Sequence, residues 1–293
     1  MPELPEVETV LTGLEPVLRG RRFVRVEQRR KNLRFPLPEH FAERLTGRKV
    51  LRLDRRAKYI LVHLDDGEVL AIHLGMTGRF SVRQRGRMAQ LGDYTYEHGH
   101  DARHDHVVFA MSGGAVVTYN DARRFGYMTL IRGADIAQDA FFRGLGVEPL
   151  SEALNANFLA GKARGRKTDL KAFLMDQRIV AGLGNIYVCE ALFRAGLSPF
   201  RGASSLTAKS GKPTPAADRL VVHIKAVLAD AIRAGGSTLR DFRQANGDVG
   251  SFQEAFAVYG REGEPCVKPG CRGTVRRKTQ GGRSTFYCAT CQR

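Results

Sequence analysis

The chain changes its hydrophobic rhythm twice. Val7, Val10, Leu11 and Leu14 recur at helical spacing and predict a first helix over residues 1–15. From about residue 20 to 132 apolar and polar positions alternate. Phe23–Val26, Val50–Leu53, Tyr59–Leu64, Val69–Leu74, Val107–Met111 and Ala115–Tyr119 read as strands, with Asp65-Asp66-Gly67 as a hairpin turn. Helical spacing returns after a linker at 135–150: Leu170, Phe173 and Leu174 share a face, and a second helix follows Gly182-Leu183-Gly184 over Asn185–Ala195. A third spans 216–234, stopped by Gly235-Gly236. Residues 203–215 read as a loop, and 236–262 carry little pattern. The expected fold is α+β and multidomain: an N-terminal β-sandwich with a leading helix (1–134), a helical domain (135–262), and a zinc-ribbon hairpin (263–293).

The ribbon rests on cysteine spacing. Cys266-x4-Cys271, then Cys288-x2-Cys291 after a longer gap, offers four thiolates from two knuckles, the ligand set of one tetrahedral Zn²⁺. Four thiolates leave no open position, so the metal is expected to be structural. Thr274–Lys278 and Ser284–Tyr287 are the expected strands, with Arg283 exposed beside the turn. The fifth cysteine, Cys189, is read as a packed core thiol. His98, His100, His104 and His106 crowd together with Asp101 and Asp105, but their spacing fits no strong metal motif. This segment is read as a loop leading into a strand, with a histidine turned toward nucleic acid.

Charge adds a partner. The 293 residues carry a net charge of +17, and Cys266–Arg293 holds seven Lys or Arg and no acid. A surplus of this size points to a polyanion, with affinity that falls steeply with salt. No run of apolar residues is long enough to span a membrane, and the acids Glu3, Glu6 and Glu8 do not suit a signal peptide. A cytosolic protein is expected.

The opening Met-Pro-Glu-Leu-Pro-Glu-Val-Glu carries a candidate chemistry. Removal of the initiator Met would expose the secondary amine of Pro2. An α-amino group titrates near about 7.7–8.0, so part of it is a neutral nucleophile at pH 7. Attack on an electrophilic carbon gives an iminium, a ready electron sink, and Glu3 stands beside it to move protons.

The sequence resembles bacterial formamidopyrimidine-DNA glycosylases, the bifunctional base-excision enzymes for 8-oxoguanine and ring-opened purines. The likeness covers essentially the whole chain. It rests on the opening octapeptide, Arg55-Arg-Ala-Lys-Tyr59, His73-Leu-Gly-Met-Thr-Gly78, Asp121-Ala-Arg-Arg-Phe-Gly126, Gly182-Leu-Gly-Asn-Ile-Tyr187, Val258–Cys266 and the ribbon. The resemblance implies that Pro2 is the nucleophile and that Glu3 protonates the opening sugar. It gives β-elimination to Lys58 and δ-elimination with a phosphate grip to Arg283. Glu6 becomes a supporting carboxylate. Met76, Arg123 and Phe125 match the set that fills the void left by a flipped base, and His73, His104, Lys167 and Asn185 match other DNA contacts. A helix–two-turn–helix within the helical domain, one structural Zn²⁺, a partner of damaged double-stranded DNA and action as a monomer are further implications.

Departures from the family are a longer 83–103 segment, and Ala57 and Ala122 where glycine and proline are common. Two alternatives stay open: an endonuclease VIII-like enzyme for oxidised pyrimidines, and a non-catalytic zinc-ribbon DNA-binding protein.

Overall fold

The computed structural model describes residues 2–84, 101–237 and 252–293, and the backbone course of 87–91. Of the weakly patterned stretch 236–262, residues 238–251 lie outside the described residues, as do His98 and His100. The chain forms two compact units, Met1–Arg143 with Ile232–Gln253, and Gly144–Ala231 with Glu254–Arg293.

The first unit opens with α1 (Leu4–Leu18), whose start carries Pro5 and a capping box between Glu3 and Glu6. Its buried face, Leu4, Val7, Val10, Leu11, Leu14 and Leu18, has the predicted helical spacing. Two antiparallel sheets follow. One has five strands in the order β1 (Phe23–Gln28), β7 (Asp105–Met111), β8 (Val116–Asn120), β5 (Arg79–Gln84) and β6 (Arg87–Leu91). The other runs β2 (Val50–Arg56), β3 (Tyr59–Leu64), β4 (Glu68–His73) and β9 (Tyr127–Arg132). The short helix α2 (Phe41–Leu45) packs on β1. Side chains from both sheets and from α1 form one core, in which Val10, Leu14, Phe41, Ile60, Val62, Val107 and Val117 are fully buried.

Strict alternation fails at two edges. A bulge between Phe23 and Arg25 turns Phe23 and Val26 to the same buried side and leaves Val24 exposed. A second, between Val50 and Arg52, buries Val50 and Leu53 and exposes Leu51. An inserted residue reverses the inward–outward order, so a period-two reading places Leu51 on the wrong face.

The second unit carries α3 (Ala156–Ala163), which the sequence pattern missed, then α4 (Leu170–Met175), α5 (Asn185–Ala195) and most of α6 (Pro215–Arg233). The two turns between α4 and α5 are braced by one side chain. Gln177 Nε2 donates to Leu183 O at 2.7 Å and to Met175 O at 3.1 Å, and its Oε1 accepts Gly182 N–H at 2.8 Å. The loop expected at 203–215 contains one short helical turn, Ala203–Leu206. The unit ends in a hairpin of β10 (Val275–Gln280) and β11 (Arg283–Cys288), with Gln280 opposite Arg283 and Val275 opposite Cys288. Glu190 on α5 is fully buried. Its carboxylate accepts the backbone N–H groups of Ala257, Val258 and Tyr259 at 2.8–3.0 Å. The approach to the hairpin is thereby fastened to the helix, and Cys189 lies in the core between them, with Val258, Cys266, Val275 and Cys288.

Candidate functional site

Pro2, Glu3, Glu6 and Lys58 are all buried in the first unit. Glu6 Oε2 accepts the Glu3 N–H at 2.9 Å, which fixes the turn that carries Pro2. Glu6 Oε1 accepts both the N–H and the hydroxyl of Ser237 at 2.8 Å. Gly236, at φ +83°, leaves room for this approach, since a Cβ there would stand 3.3 Å from the Glu6 carboxylate. Lys58 sits in the β2–β3 turn. Arg55 Nε reaches Glu8 Oε2 on α1 at 2.6 Å, and Arg55 Nη1 holds Ala57 O at 3.1 Å. One arginine thus ties the turn of Lys58 to the helix that begins behind Pro2. Ala57 is at φ +54°, the left-handed region that favours glycine.

His73 ends β4. Its ring stacks on Tyr127 at 5.1 Å with 15° between planes, and Tyr59 OH and Tyr127 OH share a short hydrogen bond. His73 Nδ1 accepts Gly75 N–H at 3.0 Å, which leaves the imidazole proton on Nε2. Burial, with Lys58 and Arg34 nearby, holds its pKa down at about 4, so the ring is a neutral donor at pH 7.

Two turns carry Met76, Arg123 and Phe125. They meet back to back: a Cβ on Gly75 would fall on the Phe125–Gly126 peptide, and one on Gly126 would fall on the Tyr119 hydroxyl. Asp121 is fully buried and accepts from Thr77 Oγ1, from Gly126 N at 2.8 Å and from Tyr119 OH at 3.2 Å. Thr77 Oγ1 in turn accepts Arg123 N–H at 3.1 Å. On this frame Phe125 is 40% exposed, and the Arg123 guanidinium lies 4.5 Å over its ring. An apolar wedge and a cation are therefore presented together on one rigid mount. Beside them Arg34, Arg123, Arg124 and Asn32 line an open cleft of about 450 Å³. His104 is half-buried next to Asp101, while His106 is buried and bonds Asp121 O through Nε2 at 2.9 Å.

In the second unit the four ribbon sulfurs lie within 4.8 Å of one another, with Cys266–Cys291 and Cys271–Cys288 at 3.8 and 3.7 Å. Four thiolates about 2.3 Å from one Zn²⁺ in a tetrahedron would be separated by about 3.8 Å, so the residues fit the metal. Burial raises the Cys288 thiol, but the N–H groups of Cys291 and Thr290 and the neighbouring thiols outweigh it and bring it to about 7. Arg283 is exposed beside the Gly281-Gly282 turn, and Lys167 is exposed between α3 and α4. Asn185 opens α5; its Nδ2 donates to Ser284 O at 3.0 Å and its Oδ1 is buried without a partner.

The family model described as the formamidopyrimidine-DNA glycosylase N-terminal domain matches residues 1–128, that of the family's H2TH domain matches 145–243, and a zinc finger found in FPG and IleRS matches 263–293. A formamidopyrimidine-DNA glycosylase of Methylocella silvestris is 56% identical over 293 residues, covering all of both chains. The chain belongs to the formamidopyrimidine-DNA glycosylase family. It carries that family's zinc finger, with a four-cysteine set for one Zn²⁺. Among solved structures, MutM (Fpg) of Thermus thermophilus is similar at a TM-score of 0.81 with 40% identity, over 99% of this chain and 98% of that one. Lactococcus lactis Fpg in complex with abasic-site DNA gives 0.82 with 30% identity over the full length of both.

Sequence reading named Arg123, Phe125 and Arg283, which the structure leaves exposed, and missed residues that hold the turns and the hairpin beneath them. Thr77, Asp121 and Lys171 were not singled out. The signal for Lys171 was present: a lysine beside Leu170, Phe173 and Leu174 on the buried side of α4. No described helix is long and apolar enough to cross a membrane.

Proposed function

We propose that this chain is a bifunctional DNA glycosylase and abasic-site lyase for oxidised purines, acting through the amine of Pro2 after removal of Met1. The nitrogen attacks C1′ of the flipped nucleotide, the C1′–base bond breaks, and the damaged base leaves. Glu3 protonates the ring oxygen as the sugar opens, and a C1′ iminium forms. The iminium acidifies the 2′ proton. Lys58 serves its removal, and the 3′ phosphate departs by β-elimination. A second elimination, with Arg283 at the phosphate, releases the 5′ side. Met76, Arg123 and Phe125 fill the gap, with Arg123 placed to bond the widowed base. His73, His104, Lys167 and Asn185 take the backbone. Work is divided as the sequence suggests: chemistry in 1–134, DNA grip in 135–262, and a ribbon in 263–293. A cytoplasmic monomer suffices.

The observation that carries this reading is the buried start of α1. Glu6 holds the backbone of Glu3 at 2.9 Å, so the segment bearing the proposed nucleophile has one fixed course. Borohydride reduction in the presence of an 8-oxoguanine:cytosine duplex tests it. The expected result is a covalent adduct mapping to Pro2. An adduct formed only with dihydrothymine DNA would move the chain to the pyrimidine branch, and no adduct with either would leave a binding protein.

A further inference from the structure

Lys171 is 1% exposed, and none of the proposed steps uses it. An ammonium taken out of water is strongly disfavoured unless its N–H groups find acceptors. Here they find the ribbon hairpin. Lys171 Nζ donates to Thr285 Oγ1 at 2.6 Å and reaches Ser284 O at 3.4 Å. Asn185 Nδ2 donates to the same Ser284 O at 3.0 Å. Thr285 Oγ1 donates in turn to Gln280 Oε1 at 2.9 Å, and Gln280 Nε2 donates to Pro199 O at 3.2 Å. Gln280 and Ser284 flank Arg283, one across the hairpin and one along it.

The metal site lies at the other end of the same strand. Cys288 lies five positions along β11 from Arg283, about 17 Å at the rise of an extended strand. Zinc therefore secures the open end of the hairpin, and the Lys171 network secures the tip. Arg283 is exposed, so its direction is set by the backbone on which it stands.

We propose that Lys171 is a positioning residue that aims Arg283 at its phosphate. This inference rests on the reading that Arg283 serves the second elimination. The test uses full-length, zinc-loaded protein with an abasic-site duplex as probe. In Lys171→Met, amide exchange at Arg283–Phe286 should rise roughly tenfold to a hundredfold, as expected for loss of a charged hydrogen bond, with exchange at Cys288 unchanged. The ratio of δ- to β-elimination product should fall toward that of Arg283→Ala, while the rate of adduct trapping holds. The double variant should fall no further than Arg283→Ala. Thr285→Val, which removes the acceptor and keeps the lysine, should give the same pattern if Lys171→Met does not fold. Unchanged exchange and product ratio in a folded variant would overturn the proposal. So would a trapping rate that drops in step with the δ product. An Arg283→Ala protein with a normal product ratio would instead remove the role given to Arg283, and the exchange data on Lys171→Met would still decide whether the lysine holds the tip.

Discussion

The hydroxyl of Thr77 hydrogen-bonds the buried carboxylate of Asp121 and also accepts the N–H of Arg123 at 3.1 Å. Through that one oxygen the turn carrying Met76 and the turn carrying Arg123 and Phe125 become a single piece. Thr77→Val keeps the shape and removes the oxygen, leaving the carboxylate and the Arg123 N–H each one partner short. Stability should drop by about 1–3 kcal/mol, read from urea unfolding. Fluorescence of 2-aminopurine placed opposite the lesion should show slower or incomplete flipping. A variant with parental stability and flipping would show that the two turns are held by other means.

Ala57 occupies a left-handed conformation beside Lys58. A β-branched side chain fits that region poorly, so Ala57→Val should cost about 2–3 kcal/mol. Ala57→Gly relieves the strain but loses a buried methyl and loosens the unfolded chain, so it should stay within about 1 kcal/mol of the parent. Denaturant midpoints for the three residues would rank glycine and alanine together and valine well below. A valine variant as stable as the parent would contradict the geometry.

His73 titrates at about 4, against 6.5 for an unstrained histidine, with burial as the first cause. Burial also lowers His63, His106 and His223. As pH falls below 6.5 the unfolded chain takes up protons that the folded chain refuses until its lower pKa is reached. Stability should therefore be full above pH 6.5 and decline from there toward pH 4. Unfolding curves across this range, repeated with His73→Gln, should show a shallower decline in the variant. An NMR titration that put His73 near 6.5 would sink the account.

Removing the metal should loosen the ribbon and separate binding from chemistry. Treatment with a strong chelator, or Cys288→Ser, should lower duplex affinity at least about tenfold and flatten the dependence of log K on log salt, because fewer phosphates are neutralised. The first unit should keep its near-ultraviolet circular dichroism. Fluorescence anisotropy over a salt series, with zinc content measured in parallel, checks both. An apo-protein with unchanged affinity and slope would take the ribbon out of the interface.

Much of this was legible from the chain. Helical spacing located α1 and α6 to within a few residues, because each buries one continuous stripe, whereas α5, buried nearly all round, was placed by the Gly182-Leu183-Gly184 before it. The hairpin of Tyr59–Leu64 with the following strand was readable from Asp65-Asp66-Gly67. The ribbon was readable because its ligands are close in sequence and few chemistries use four cysteines so spaced. What escaped has a common cause. Alternation groups Leu51 with Leu53 and Val24 with Val26, and a bulge changes that grouping without any signal in residue type. Thr77 and Asp121, or Lys171 and Thr285, are joined across long stretches of chain, and each member alone looks like an ordinary polar residue. The left-handed turn at Ala57 carries no mark in the alanine itself, and only the glycine common at that place in the family hints at it.

Gly75 and Gly126 touch where neither can accept another carbon. A side chain at Gly75 would require the Phe125–Gly126 backbone to move, and one at Gly126 would require the Tyr119 hydroxyl to give way. The side chains mounted on that joint are under no such restraint, since Arg123 and Phe125 stand in the open and Met76 is only partly covered. If Met76, Arg123 and Phe125 fill the gap as proposed, selection can retune how a damaged pair is opened by altering these side chains while the joint beneath them stays fixed. Lineages that diverge in what they repair would be expected to differ at the tips and agree at the glycines.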